Sequence, residues 1–416
     1  MEPENENDVH PTEDSARVEP DTSNLAGSTD ESGIQAEAGA QSAGEMASED
    51  ALSDMPDLGA ESSTSAEPQA SAPGAESQST HLRIEIDLVE GDLTILGGSP
   101  QVLLDTGANE PDDDSMDQSD GAALRFTRLP DDSELRVPDG AEVLVRRIYG
   151  DLRAEHFDGF VLAQRVSGDA DVERVAVTQI AQLEGDLTAQ HGGSLTVRTV
   201  SGDARIEDYD EAPILGHISG DLEASDLPGL EVRDSVSGSV ELDRCGTVTL
   251  LGSVGGDLEA KRSTVILRGS SVGGDVHISS VLAMTVAAIG GDLDVDGAVE
   301  AIEVHSVGGD ADIRDARGPV QLSTVGGDLK IKNATGGLSV KRVGGDATID
   351  TALGDQTDYT VHASGDVTLW VREDVNARFV ARTFGGEIKT RLPLSVERGR
   401  RRNLVGVLGH GSSTVT

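Results

Sequence analysis

Aspartates that recur at a fixed spacing are the residues of this sequence best suited to chemistry. From Gly150 onward, a Gly-Asp-aliphatic motif returns every 17 or 18 residues, and the last two steps lengthen to 20 and 21. Rows of carboxylates can bind divalent cations, and paired carboxylates can act as general acid and base. The acidic residues are Asp151, Asp169, Asp186, Asp203, Asp221, Asp257, Asp275, Asp292, Asp310, Asp328, Asp346 and Asp366, with variants at Gly238-Ser239-Val240 and Gly386-Glu387-Ile388.

A structural role explains the same row without a ligand. Carboxylates stacked about 4.8 Å apart repel one another by about 0.9 kcal/mol even in water. We expect backbone N–H groups of each aspartate's own Gly corner to offset this repulsion, as they do in turns. Calcium between the copies is the alternative, and it is not favoured because calcium-binding β-rolls carry a denser pattern of carboxylates. The sequence therefore predicts no metal ligands, no catalytic residues and no cofactor.

The other reactive side chains are scattered. Cys245 is the single cysteine, which we expect to be a buried hydrophobe. The arginines at positions 398 and 400–402 form a basic cluster, interpreted as a solvated loop, with docking against the acidic N-terminal residues as the alternative. The histidines lack zinc-ligand spacing and are interpreted as exposed residues. They are His156, His191, His217, His277, His305 and His362.

The residues around each acid predict how one repeat folds. The residue after the acid is aliphatic, the next is polar and the third is apolar, which is the alternation of a strand with one buried face. Further apolar residues recur three positions before the acid and about ten and twelve positions after it. Large and small inward residues also alternate, as in Ala204/Ile206 followed by Leu222/Ala224. Each repeat is therefore predicted to be one coil with inward residues on three sides.

The predicted fold is all-β: a single-stranded parallel β-solenoid, or β-helix, with about 18 residues per coil over residues 150–416. We expect it to be right-handed, by analogy with most parallel β-helices. Residues 81–149 are predicted to form an N-terminal β cap with lead-in strands and a flexible acidic surface loop at 109–121. Residues 1–80 hold nineteen Asp and Glu against one basic residue and no aromatic residue, which predicts a disordered acidic tail.

The coils resemble a bacterial domain family of unknown function that carries an adhesin label. The similarity lies in Ser-Gly-Asp and Gly-Gly-Asp coils such as Val166-Ser167-Gly168-Asp169, Val200-Ser201-Gly202-Asp203 and the Val-Gly-Gly-Asp series from Val254 to Asp346. It covers about residues 80–416. The resemblance implies a β-solenoid architecture and carries no catalytic residues.

Composition limits the function. The net charge of −44 opposes binding to nucleic acid, and no segment approaches the about 20 apolar residues of a membrane helix. Without a signal peptide pattern at its start, the sequence predicts a cytoplasmic protein. We expect a non-enzymatic scaffold, structural or adhesin-like, that binds an unidentified protein or surface. A bactofilin-like polymerising scaffold is the alternative, and a carbohydrate-active β-helix enzyme is favoured less, since aromatic residues make up only 2% of the chain.

Overall fold

The computed structural model describes residues 82–107, 116–119, 123–269, 271–354, 356–372 and 375–416. All of them belong to the second of two units into which the chain divides, Glu76–Thr416. The disordered tail predicted for residues 1–80 lies outside the described residues, as does most of the loop predicted at 109–121.

Every regular element in the described residues is a β-strand, and no helix that could span a membrane occurs among them. The strands are β1 (Arg83–Ile86), β2 (Leu93–Leu96), β3 (Leu103–Asp105), β4 (Met116–Ser119), β5 (Ala123–Phe126), β6 (Ser133–Arg136), β7 (Glu142–Ile148), β8 (Leu152–Val166), β9 (Ala170–Leu183), β10 (Leu187–Gln190), β11 (Ser194–Val200), β12 (Ala204–Glu207), β13 (Ile214–Ile218), β14 (Leu222–Ser225), β15 (Gly229–Val232), β16 (Val240–Asp243), β17 (Thr247–Leu250), β18 (Leu258–Lys261), β19 (Thr264–Leu267), β20 (Ser271–Val272), β21 (Val276–Ile278), β22 (Val281–Ile289), β23 (Leu293–Ala298), β24 (Ile302–Val307), β25 (Ala311–Ala316), β26 (Val320–Val325), β27 (Leu329–Lys332), β28 (Leu338–Val343), β29 (Ala347–Asp350), β30 (Asp358–Ala363), β31 (Val367–Trp370), β32 (Ala377–Arg382), β33 (Ser395–Arg400), β34 (Asn403–Leu408) and β35 (Ser413–Val415).

These strands build the predicted parallel β-solenoid, with about 13 turns of about 18 residues. The strands of the regular coils pair in parallel with their equivalents one coil later, so that β23, β25, β27 and β29 stack in register. Strands that begin at the Gly-Asp motif form one face, and strands such as β24, β26 and β28 form another. The prediction of an all-β parallel solenoid with about 18 residues per coil is therefore confirmed.

Alternating inward residues form the core. Ile313 and Ile331 are fully buried, whereas the intervening Asp312 and Lys330 point outward and pair with each other. Small and large residues also face one another between coils, since Ala204 lies beside Leu222. This alternation fills each layer with aliphatic side chains, which explains how a chain so poor in aromatic residues forms a continuous core.

The N-terminal coils do not stack in the order of the sequence. Strand β1 lies between β5 and β7, and β2 lies between β6 and β8, so residues 123–136 form the outermost coil. Antiparallel strands cover that coil, because β4 pairs with β5 and β3 pairs with β6. The prediction of a flexible loop over the whole of 109–121 is wrong at Met116–Ser119, which form β4.

The C-terminal end also departs from the coil pattern. Strand β35 lies parallel between β30 and β32, and β32, β34 and β33 form an antiparallel meander. The prediction of a further coil at Gly386-Glu387-Ile388 is wrong, because no strand occurs between β32 and β33. The strands of the meander pair antiparallel with one another, and none of them pairs with β31.

Candidate functional site

The aspartate column is the densest array of ionisable groups in the described residues. The backbone N–H of each motif aspartate donates a hydrogen bond to Oδ1 of the motif aspartate one coil earlier, as Asp310 does to Asp292 at 2.7 Å. Fourteen such bonds of 2.7–3.3 Å run along one edge of the solenoid, with Ser239 Oγ as one acceptor. The acceptors are Asp131, Asp92, Asp151, Asp169, Asp186, Asp203, Asp221, Ser239, Asp257, Asp275, Asp292, Asp310, Asp328 and Asp346.

This geometry corrects the predicted source of the donors. The repeat pattern predicts donors from the Gly corner of each aspartate itself, yet the donor comes from the next coil. The sequence allows both donors, the N–H groups of the aspartate's own corner and the N–H of the aspartate one coil later. Only the stacking of the coils decides between them. The column therefore joins neighbouring coils instead of stabilising isolated turns.

Glycine precedes the acid because the neighbouring carboxylate needs its space. A Cβ on Gly309 would overlap Oδ1 of Asp292, and a Cβ on Gly256 would overlap Oγ of Ser239. Neither glycine has a positive φ, so the requirement is for space and not for an unusual backbone conformation. At Asp131, the first member of the column in the described residues, the preceding residue is Pro130, and no described carboxylate occupies the space beside it.

Two members of the column were not predicted from the sequence. Asp92 accepts the N–H of Asp151 at 2.8 Å, and Asp131 accepts the N–H of Asp92 at 3.3 Å. The segment Gly91-Asp92-Leu93 already carries the motif, so that signal was present in the sequence. Asp131 lacks the preceding glycine, and its place became visible only with the strand order of the N-terminal coils.

The exposed carboxylates of the column point to the backbone of the neighbouring coil. In the residues that the structure describes, no group of three or more His, Cys, Asp or Glu side chains is placed to hold a metal ion. All aspartates of the column are exposed at the surface, and one oxygen of each acceptor carboxylate is directed at a backbone N–H. This arrangement gives the carboxylates a defined structural task.

A second polar column follows five residues after the first, and the sequence analysis did not predict it. Its residues turn the corner with left-handed φ values of 50° to 55°, which non-glycine residues seldom adopt. The signal available in the sequence was a recurrent polar residue at this position. The members are His156, Arg174, His191, Asp208, Asp226, Arg244, Arg262, Asp315 and Asn333, with Gly297 replacing the side chain in one coil.

Opposite charges pair along this corner column. Arg244 donates to both carboxylate oxygens of Asp226, one coil earlier, and also contacts Asp243. Arg262 donates to Asp243 at 2.6 Å and 2.9 Å. The hydrogen bond from Arg244 lowers the pKa of Asp226. The column thus exposes a mixed pattern of charges instead of a uniform acidic surface.

An open groove of about 570 Å³ lies beside the start of the corner column. His156, Arg174 and His191 line it from three successive coils, together with Asp158 and Asp210. Arg174 lies 2.9 Å from Nε2 of His156 and donates to Glu173 at 2.8 Å. His191 Nδ1 lies 2.8 Å from an oxygen of Asp208. Both histidines are exposed, as predicted, and their polar neighbours belong to the same surface network.

The remaining candidate side chains are distributed over the core and the C-terminal end. Cys245 is 2% exposed, as predicted, and burial raises the pKa of its thiol. The ring of Tyr209 occupies the space left beside Gly192, and burial also raises the pKa of its hydroxyl. Trp370 lies on the last strand of the motif face and is 60% exposed.

The predicted basic cluster lies on the antiparallel meander. Arg398 and Arg400 belong to β33, and Arg401 and Arg402 form the turn to β34, so the cluster is partly strand where a loop was predicted. All four arginines are exposed. A basic surface therefore adjoins the C-terminal end of a chain whose net charge is strongly negative.

Comparison with known proteins shows a similarity to one described domain family. No curated protein and no solved structure matches the chain. The resemblance inferred from the coils extended over about residues 80–416, and the matching region is shorter. Residues 219–416 match the family model described as Toastrack DUF4097, a domain of unknown function, so the C-terminal coils and the meander are similar to that domain.

Proposed function

We propose that this protein is a non-catalytic binding scaffold, structural or adhesin-like, whose solenoid presents rows of charged side chains to a protein or surface partner. The aspartate column is the observation that supports this proposal most strongly. Its carboxylates are the side chains of this sequence best suited to chemistry. Each accepts a backbone hydrogen bond from the next coil. Their task is to align coils, and aligned coils place outward residues at regular intervals.

Regular outward rows are what a repetitive binding surface offers. Glu223, Glu241 and Glu259 lie in register on three successive coils and form one acidic row. Parallel strands repeat about every 4.8 Å, so a partner with evenly spaced cationic groups could engage several coils at once. Multiple weak contacts of this kind give avidity without an enclosed pocket.

The test compares capture of partners with enzymatic turnover. The full chain, immobilised, should retain a poly-lysine peptide in low salt, and the triple variant Glu223→Lys, Glu241→Lys and Glu259→Lys should retain less while its unfolding midpoint stays close to that of the wild type. A matched variant with Glu303→Lys, on the other face, should retain as much as the wild type. Salt-insensitive retention, or release of reducing ends from a panel of polysaccharides, would overturn the scaffold proposal.

A further inference from the structure

We infer that β31 is a docking edge for an extended acidic peptide, which adds to the solenoid as the next strand of the motif face. The inference rests on the proposed function as a binding scaffold and names one place and one class of partner. Four observations on the C-terminal end support it: the end of the aspartate column, an open strand edge, exposed apolar side chains and a local excess of positive charge.

The aspartate column ends at Asp366 with an unused acceptor. The N–H of Asp366 donates to Oδ1 of Asp346 at 2.8 Å, which continues the pattern of the preceding coils. Within the described residues, no backbone N–H donates to the carboxylate of Asp366. A polypeptide that adds as a further strand can supply that N–H.

The strand edge beside Asp366 is open as well. Strand β31 pairs with β29 on one side, and no strand of the described residues pairs with its other side. The other end of the solenoid differs, because β3 and β4 cover its outermost coil. On the neighbouring face of the C-terminal end, β35 covers β30. An uncovered edge offers a row of backbone donors and acceptors to an added strand.

Apolar side chains at this edge lack the cover that the equivalent residues have elsewhere. Val367 is 52% exposed, whereas Ala347 and Leu329, at the same position of the two preceding coils, are at most 1% exposed. Leu369 is half-buried, whereas Ile349, its equivalent one coil earlier, is 3% exposed. An added strand with apolar residues at alternate positions would cover Val367 and Leu369 as each coil covers the one before it.

The positive charge of the C-terminal end favours an acidic partner. Residues 367–416 contain nine Lys and Arg against four Asp and Glu, a net charge of +5 (9 − 4), within a chain of −44. Arg372 follows β31, Arg382 ends β32 and Arg391 lies between β32 and β33. All three arginines are exposed. A second copy that approached through the same end would bring two positive surfaces together, whereas an acidic peptide would meet complementary charge.

The test measures binding of a synthetic peptide, Gly-Gly-Asp-Val-Glu-Val-Glu-Val-Glu with a fluorescent label, to the full chain by anisotropy. We expect saturable binding that weakens by about tenfold for the double variant Arg372→Glu and Arg382→Glu, because two favourable charge contacts are reversed. The variant Arg317→Glu, an exposed arginine on an inner coil, is the matched control and should bind like the wild type. Asp366→Ala should weaken binding without a change in the unfolding midpoint.

Two control peptides separate the charge from the strand edge. The same peptide with Lys in place of Glu should not bind, and a peptide with alternate backbone N-methyl groups should lose binding because it cannot complete the ladder. Equal binding of the Lys peptide, no effect of the Arg or Asp366 variants, or no binding of the acidic peptide would overturn the inference. Concentration-dependent dimerisation that competes with the peptide would assign the edge to a second copy instead. The scaffold proposal fails separately, through the poly-lysine experiment on the row Glu223, Glu241 and Glu259.

Discussion

The backbone N–H of Asp310 donates a hydrogen bond to Oδ1 of Asp292, one coil earlier, because no backbone carbonyl is available to accept it. The N–H of the preceding residue, Gly309, already bonds to the carbonyl of Gly291 at 2.9 Å. The carbonyl of Asp292 points away from Asp310, toward the preceding coil, where it accepts the N–H of Val276 at 2.8 Å. Two consecutive N–H groups thus point to the same coil, and the aspartate side chain supplies the missing acceptor.

Removing this acceptor should destabilise the solenoid. We expect Asp292→Ala to lower the free energy of unfolding by about 0.5–1.5 kcal/mol, since the N–H of Asp310 loses its partner at an exposed position. Asp292→Asn keeps an oxygen acceptor and removes one charge from the column, so it should cost less than the alanine variant. Denaturant melts of the two variants check this order, and equal losses would contradict the assigned role of Oδ1.

Gly309→Ala should destabilise the protein through overlap with the carboxylate of Asp292. Overpacking of this kind typically costs about 1–3 kcal/mol. Gly385→Ala is the control, because a Cβ at Gly385 meets no other atom and should leave the unfolding midpoint nearly unchanged. In a double-mutant cycle, Gly309→Ala should cost less when Asp292 is already Ala. Additive losses would show that the carboxylate is not the cause.

Calcium should have little effect on stability. The backbone donors already stabilise the column, so excess chelator and millimolar calcium should give unfolding midpoints within about 2 °C of each other. A ligand that binds only the folded state would instead raise the midpoint with its concentration. A large calcium-dependent rise that disappears in the triple variant Asp275→Asn, Asp292→Asn and Asp310→Asn would make the column a metal site.

A charge in the core should be far more damaging than a change on the surface. Ile313 is fully buried between layers, so Ile313→Asp places an unpaired carboxylate among aliphatic side chains and should lower the free energy of unfolding by several kcal/mol, roughly 4 or more. Glu303→Gln on an exposed outward position should change it by less than about 0.5 kcal/mol. Similar effects in denaturant melts would refute the inward and outward assignment.

Asp312 should contribute to the pH dependence of stability. Burial tends to raise the pKa of this carboxyl group, but hydrogen bonds from Lys330 and Arg314 outweigh it and the pKa is lowered. A lowered pKa in the folded state means that the contribution is complete above the ordinary carboxyl pKa of about 4 and is lost as the pH falls through the folded-state value. Asp312→Asn should therefore be less stable than the wild type at pH 7, by about 1 kcal/mol or less, and the difference should vanish towards pH 2. A difference that persists at pH 2 would exclude this charge effect.

The sequence by itself determined the coil, its period and its core. The apolar residues next to each acid point inward because a strand alternates its side chains, and this rule needs no knowledge of the neighbouring coil. For the same reason Ile313, Ile331 and the stacked pair Ala204 and Leu222 were predictable. The column itself also followed from the period, since equal coils in register align equivalent residues.

Tertiary structure decided which groups meet across coils. The donor to Asp292 lies 18 residues away in the sequence, and the placement of β1 between β5 and β7 brings Asp92 between Asp131 and Asp151. Repeats that are nearly alike can pair in more than one order, so the local pattern does not determine the order in which the coils stack along the solenoid axis. The meander that replaces the coil expected at Gly386 likewise depends on pairing between segments distant from the preceding coils. The periodicity of the sequence determines each turn. Long-range pairing determines which turns are neighbours and which strands cover the ends of the solenoid.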